Sequence, residues 1–251
     1  MTKVLLITGG ASGIGAETAR RAAAKGYSIA INYRTRDVEA KKVVAGIEAK
    51  GAKAIALEAD MAVEADIMKM FEETTKALGS ITHLLNSAGI SVRSRVDEFD
   101  AKVLSSLFAT NVTGLMICCR EAARRMSTKH GGKGGAIVNV SSMAATLGGR
   151  SLSSAYAASK GAVDAFTKGF AREVASEGIR VNALRPGMVL TEMTEGRLED
   201  PAFKKSIEAS IPMRRVGASR EIADAALWLL SDEASFITGS MLDASGGGYV
   251  I

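Results

Sequence analysis

Short apolar runs recur along this chain. Each follows a glycine, and each is preceded by a stretch with helical periodicity. Gly26 precedes Ser28-Ile29-Ala30-Ile31, Gly51 precedes Ala54-Ile55-Ala56-Leu57, and Gly79 and Gly178 precede the runs 81–85 and 179–184. A glycine just past a helix supplies the left-handed residue that ends it. The runs are apolar at successive rather than alternate positions, as strands buried on both faces are. The pattern predicts strands near 3–8, 28–33, 53–58, 82–86, 135–140, 179–184 and 240–243. It predicts helices near 13–25, 36–50, 63–78, 101–127, 154–176 and 219–230. Repeated βα units of this length imply an α/β fold with a parallel sheet and helices on both faces.

No Pro/Ser-rich linker or low-complexity tract divides the chain, so residues 1–251 read as one domain. The stretch from about 190 to 215 fits no strand and interrupts the βα rhythm, which suits an inserted lid over a site.

Composition narrows the function classes. The chain has 251 residues, 47% of them hydrophobic, enough for a sizeable core; the 24% charged residues argue against disorder. The net charge of +5 raises the question of nucleic acid. The densest basic stretch (Arg120, Arg124, Arg125, Lys129, Lys133) begins as one solvated helix face with no interleaved aromatics for base stacking, so no nucleic-acid partner is expected. Cys118 and Cys119 are adjacent in an apolar run and offer neither a disulfide framework nor metal-ligand spacing. Buried thiols in a reducing compartment, the cytoplasm by default, are the reading, with no metal. The apolar run 4–7 is too short for a signal peptide, and no run is expected to span a membrane.

Candidate chemistry starts at the end of the first strand, Thr8-Gly9-Gly10-Ala11-Ser12-Gly13-Ile14-Gly15, with a helix pattern behind it. Glycines let the backbone turn sharply and approach a ligand, and the helix N-terminus then offers free N–H groups to a diphosphate. The T-G-x-x-x-G-x-G spacing differs from the G-x-G-x-x-G of other dinucleotide folds, but strand, turn and helix come in the required order. The second strand ends Ile31-Asn32-Tyr33-Arg34. A ribose 2′-hydroxyl prefers an acidic partner there and a 2′-phosphate a basic one, so Arg34 favours NADP(H), with NAD(H) as the second option. Asp60, followed by Met61, could bond an adenine amino group or cap the next helix.

Tyr156 and Lys160 lie four apart on a predicted helix, hence on one face about a turn apart. A free tyrosine titrates near ~10, too high for proton transfer at neutrality, and a nearby ammonium is expected to lower it. Ser141 and Ser142 end the fifth strand, at the carboxyl edge where such sheets bind ligands. Asn111 is a lone amide in an apolar helical stripe and must find a partner.

Taken together these pieces resemble the short-chain dehydrogenase/reductase family over essentially the whole chain. The matching positions are 8–15, Asp60, Asn86-Ser87-Ala88-Gly89, Asn111, Ser142, Tyr156 with Lys160, Pro186-Gly187 with Thr191, and Thr238-Gly239. Glucose 1-dehydrogenase-like and 3-oxoacyl carrier-protein reductase-like members are the nearest branches. The resemblance implies a Rossmann-like, doubly wound, seven-stranded parallel sheet, a small carbonyl or alcohol substrate, and a homotetramer. By the same resemblance Tyr156 is the general acid/base, Ser142 binds the substrate oxygen, Lys160 holds the nicotinamide ribose and tunes Tyr156, and Asn111 holds a water beside Lys160. The cofactor would border Gly9, Ser12, Gly13, Ile14, Gly15, Asn32, Tyr33, Arg34, Asp60, Met61, Asn86, Ala88 and Gly89, and then Tyr156, Lys160, Pro186, Gly187, Val189 and Thr191. The stripe Val163, Phe166, Phe170, Val174 suits either a helix-pair interface or the core. A non-catalytic dinucleotide-binding regulator on the same fold is the alternative; it would have no need of all four of Asn111, Ser142, Tyr156 and Lys160.

Overall fold

The computed structural model describes residues 3–248; residues 1–2 and 249–251 of the expected 1–251 domain lie outside the described residues. The strands are β1 (Lys3–Thr8), β2 (Tyr27–Tyr33), β3 (Ala54–Glu58), β4 (His83–Asn86), β5 (Gly135–Val140), β6 (Ile179–Pro186), β7 (Val189–Leu190), β8 (Gly217–Ala218) and β9 (Met241–Ala244). Seven of them form one parallel sheet in the order β3-β2-β1-β4-β5-β6-β9, and β7 and β8 make a separate two-stranded ladder. The helices are α1 (Gly13–Ala23), α2 (Asp37–Glu48), α3 (Glu64–Leu78), α4 (Ala101–Phe108), α5 (Leu115–Met126), α6 (Ala144–Leu147), α7 (Ser154–Val174), α8 (Glu192–Leu198), α9 (Pro201–Ser210) and α10 (Ser219–Leu230). This is the Rossmann-like doubly wound fold that the family resemblance implies, with the parallel sheet that the hydrophobic pattern predicts.

Two-residue periodicity divides each strand between two cores. Leu5 and Ile7 of β1 pack beneath Ala16, Ala19 and Ala22 of α1, with Ile222 and Ala226 of α10 in the same cluster. Val4 and Leu6 face the opposite layer, built from Ile67 and Phe71 of α3, Cys118 and Cys119 of α5, and Val163 and Phe170 of α7. Sequence order reverses between β1 and β4, which pair from Leu5 with His83 to Thr8 with Asn86. The loops leaving these two strands diverge, one over each face, and a crevice opens at their carboxyl ends.

Four expectations need correction. The helix expected over 101–127 is interrupted by a π-helical turn, Ala109–Gly114. The whole stretch Ala101–Met126 is, contrary to expectation, long and apolar enough by length and composition to cross a membrane. In this fold its apolar side packs inward through Leu107, Leu115, Cys118, Cys119, Ala122 and Met126. Arg120, Arg124 and Arg125 are not simply a solvated face: they converge on buried Glu121 at 3.0, 2.9 and 2.5 Å. The 190–215 stretch is mainly helical, and its first residue does join a strand, Leu190 pairing with Ala218. Asp200 caps α9 by accepting the Ala202 N–H (2.9 Å), with Pro201 in the first turn where its missing N–H costs nothing. The stripe on α7 faces the core: Val163, Phe170 and Val174 are buried, and Phe166 stacks on Phe170 at 5.3 Å.

Candidate active site

The turn after β1 is built for close approach. Gly9 has φ 67°, and a Cβ on it would lie 2.8 Å from the Ala88 Cα. A Cβ on Gly10 would strike Ile31 at 2.5 Å, and one on Gly15 the Gly9 carbonyl at 2.3 Å. Ser12 precedes α1 without capping it, so the N–H groups of Gly13, Ile14 and Gly15 stand ahead of the first intrahelical bond, Ala16 N–H to the Ser12 carbonyl (3.1 Å). Thr8 ties this turn to β4, its hydroxyl accepting the N–H of Ser87 and of Ala88 at 3.1 Å each.

Beside the turn runs a cleft with about 200 Å³ of space, lined by Gly9, Ser12, Asn32, Tyr33, Arg34, Asp60, Met61, Ala88 and Gly89 among the expected residues. It is also lined by Thr35, Arg36, Ile90 and Thr110, which sequence reasoning missed. A second base directly ahead of α2 was the signal for Arg36. The Asn32 amide is tied to backbone: Oδ1 accepts the Gly9 N–H (3.2 Å), and Nδ2 donates to the Tyr33 (3.1 Å) and Ala59 (2.9 Å) carbonyls, which leaves one lone pair of Oδ1. The Tyr33 hydroxyl donates to Asp37 (2.8 Å). Arg34 lies 3.8 Å from Asp60, and Arg36 is ion-paired with Glu192 of α8. Asp60 lines the cleft, but it does not cap α3: the N-cap is Val63, without a side-chain cap bond, and the Asp60 carboxylate accepts the Ala62 N–H (2.9 Å) in the turn before it.

Asn86 does not border the cleft. Its amide turns into the layer behind the sheet and donates to Asn139 Oδ1 (2.9 Å) and Cys119 Sγ (3.3 Å). Both thiols are buried; burial pushes that of Cys118 up and that of Cys119 up to about 12, so they are inert packing groups.

At the inner end of the crevice the other expected residues converge. Asn111, in the π turn, accepts the Ile90 N–H (2.8 Å) and donates to the Ile90 carbonyl (2.9 Å) and to Ser159 Oγ (3.1 Å). A Cβ on Gly89 would lie 3.3 Å from Asn111 Oδ1 and 3.6 Å from Lys160 Nζ, so these three residues share one corner. Lys160 is buried and donates to the Val140 carbonyl (2.7 Å). Burial lowers its ammonium to about 8, with the Asp164 carboxylate pulling the other way. Its Nζ lies 5.9 Å from the Tyr156 ring centroid. The expected lowering of the Tyr156 phenol is not seen. Burial holds it above its ordinary value, and only the Ser142 hydroxyl draws it back part of the way. Desolvation of the phenolate outweighs a charge at that separation.

The far wall comes from the end of β6. Gly187 donates its N–H to the Ala244 carbonyl (3.0 Å), Pro186 accepts the Met143 N–H (3.0 Å), and Val189 is buried. The Thr191 methyl comes within 3.4 Å of a Cβ built on Gly13, so the 186–191 stretch closes against the front of α1. The arrangement fits a dinucleotide: a glycine wall without room for side chains, an uncapped helix start, and a buried Thr110 hydroxyl with no protein partner on the cleft side. Among the described residues there is no His/Cys/Asp/Glu cluster able to hold a metal.

Comparison with known proteins agrees with this geometry. The family model described as "Enoyl-(Acyl carrier protein) reductase" matches residues 9–249. The chain belongs to the short-chain dehydrogenase/reductase family and is an oxidoreductase of that family. It is 44% identical to the uncharacterized oxidoreductase YgfF of Escherichia coli (strain K12), over 97% of this chain and 99% of the relative. It is 34% identical to the 3-oxoacyl-[acyl-carrier-protein] reductase FabG of Staphylococcus aureus, over 100% and 99%. The crystal structure of a short chain dehydrogenase from Burkholderia cenocepacia in complex with NADP superposes with a TM-score of 0.89 at 33% identity, covering 98% of this chain and 97% of that one.

Proposed function

We propose that this oxidoreductase transfers hydride between NADP(H) and a ketone/secondary-alcohol pair, with Tyr156 as general acid/base. The observation that carries the reading is the convergence of Ser142, Tyr156 and Lys160 beside Asn111 at the inner end of a dinucleotide-shaped crevice. When bound, the nicotinamide supplies or accepts the hydride. In reduction, Ser142 and Tyr156 hydrogen-bond the substrate oxygen, and the Tyr156 O–H delivers its proton as negative charge develops there. A phenol held protonated by burial is in the right state for that step. Lys160 holds the nicotinamide ribose, and its ammonium stabilises the phenolate left behind; Asn111 positions a water through which that phenolate regains a proton. Arg34 and Arg36 at the end of β2 favour the 2′-phosphate of NADP(H) over NAD(H).

In the same reading residues 1–251 are one domain and the 190–215 stretch is its substrate lid. Met193 and Met213 are more than half exposed, so they are available to a substrate rather than packed on the core. The working form is a homotetramer in the cytoplasm, acting on a small molecule with neither nucleic acid nor membrane as partner. Tyr156→Phe is the test. It is expected to lower kcat/KM by about a thousandfold or more while the NADPH dissociation constant stays within about twofold, measured by nicotinamide fluorescence. Full turnover in that variant would sink the mechanism.

A further inference from the structure

Three arginines gather where the loop after β4, the loop after β5 and the α8–α9 pair meet. Arg93 Nη2 donates to the Ser151 carbonyl (3.3 Å), and the neighbouring Ser94 N–H donates to the Leu152 carbonyl (3.0 Å), tying the first loop to the second. Arg150, next to Ser151, donates to Ser210 Oγ at the end of α9 (3.2 Å). Arg197 of α8 lies half-buried over the Phe203 ring, 4.3 Å from its centroid. Burial holds its guanidinium below the usual value, and the charges of Arg93 and Arg150 push the same way.

Among the described residues none of the three has a carboxylate partner. Some arginines elsewhere do: Arg21 pairs with Asp224, Arg95 with Asp97, Arg120 with Glu64 and Arg215 with Glu221, whereas Arg180 and Arg214 donate to backbone carbonyls instead. An acidic side chain stands on the same helix as Arg197, Glu195, and no ion pair joins them. Arg93 and Arg150 are exposed and partly screened by water, so the half-buried Arg197 is the one that gains most from a counter-charge. Gly148 and Gly149 lie at φ 75° and 84°, and Leu152 is a non-glycine residue at φ 67°. Glycine adopts such angles freely, so the strain lies at Leu152; strain of that kind gathers at ligand sites. The Arg150 carbonyl accepts the Ser153 N–H (2.9 Å) immediately before α7, whose first turn carries Tyr156. The cationic cluster therefore adjoins the loop that leads into the Tyr156 helix, at the opposite end of α8 from the Arg36–Glu192 pair.

We propose that Arg93, Arg150 and Arg197 form an oxyanion subsite, and that the substrate carries a carboxylate or phosphate group distal to its carbonyl. This rests on the hydride-transfer reading above. The planar fork of arginine is suited to both groups. Because two of the guanidiniums already spend donors on Ser151 and Ser210, the remaining donors suit one small anion better than a broad acidic protein surface.

The test is calorimetric binding to the protein–NADP+ complex, in which no hydride is available and turnover plays no part. The probes are levulinate, its next two homologues, the methyl ester of each, and acetol phosphate, titrated into the wild type, Arg197→Met, Arg197→Lys and the Arg150→Met/Arg197→Met pair. At least one anion is expected to bind about tenfold or more tightly than the matching neutral ester at low salt, and less so at high salt. That preference shrinks toward one in Arg197→Met and partly in Arg197→Lys, and the tighter of acid and phosphate identifies the group. Equal affinity for acid and ester, no binding of any anion, or a preference that survives in the double variant overturns the proposal. So does binding of a phosphopantetheinyl carrier protein without binding of the small anions. The hydride-transfer reading fails by a different route, through turnover in Tyr156→Phe or failure of NADP+ itself to bind.

Discussion

Arg36 shows how one side chain can answer to two parts of the site. It lines the cleft beside Arg34, yet its ion pair is with Glu192 at the start of α8. Both partners are partly exposed, so the pair is worth little in itself and an arriving phosphate can displace the carboxylate. If Arg34 and Arg36 read the 2′-phosphate, Arg34→Ala and Arg36→Ala should each raise the NADPH dissociation constant about tenfold and alter that of NADH by less than about twofold. Fluorescence titration with both nucleotides decides it. Equal losses for NADPH and NADH would mean that the arginines shape the loop and do not select the cofactor. Asn32, expected at the cofactor, has both Nδ2 donors committed to backbone carbonyls, so it can meet a ribose hydroxyl only as an acceptor, through the second lone pair of Oδ1.

At the scale of the element, α7 places Tyr156, Lys160 and Asp164 at successive four-residue steps along one face. The Lys160 ammonium titrates at about 8, and the form that supports Tyr156 is the charged one, so reduction should lose rate as pH rises through that value. Asp164 favours the ammonium, and Arg185 holds its carboxylate at 2.8 Å. Asp164→Asn should therefore move the alkaline limb of kcat/KM to lower pH; a limb that stays in place would remove Lys160 as its source. The spacing on α7 is fully legible in the sequence because a regular helix repeats. The turn carrying Asn111 is not. Periodicity reads one helix over 101–127, but Gly114 passes so close to β3's exit that a Cβ would lie 1.9 Å from the Met61 carbonyl, and the helix widens there into a π turn. Gly114→Ala should accordingly cost more than about 2 kcal/mol in denaturant unfolding, although helix propensity alone favours alanine by about 1 kcal/mol. The sheet and the glycine turn were likewise readable, since apolar runs and glycine spacing are local. Thr110 and the meeting of Arg150 with α9 depend on loops brought together from distant parts of the chain, and no local pattern records them.

For the whole molecule, the parallel sheet separates the chemistry from a second pH-sensitive group. The site lies at the carboxyl ends of the strands; His83 opens β4 at the opposite edge, buried, edge-on to the Tyr27 ring at 5.0 Å and 2.7 Å from the Thr82 hydroxyl. Burial lowers its imidazole to about 4, Lys3 and Arg180 acting in the same direction while Asp232 and a backbone hydrogen bond with Leu230 oppose it. The fold thus binds neutral histidine, whereas the unfolded chain takes up a proton near ~6.5. Above that pH the two states bind equal numbers of protons and the group has no effect on stability. Between there and about 4 the unfolded chain binds more, so stability falls as pH falls, by up to about 3 kcal/mol in all, and the loss levels off below. Catalysis and stability should then fail at opposite ends of the pH range, the rate above about 8 and the fold below about 6.5. Urea unfolding across this acid range, compared between the wild type and His83→Gln, tests the separation. The variant should lose that part of the acid dependence while the alkaline limb of the rate stays where it was. If both limbs moved together, the two edges of the sheet would be coupled, and the burial of His83 would belong to the site rather than to the fold alone.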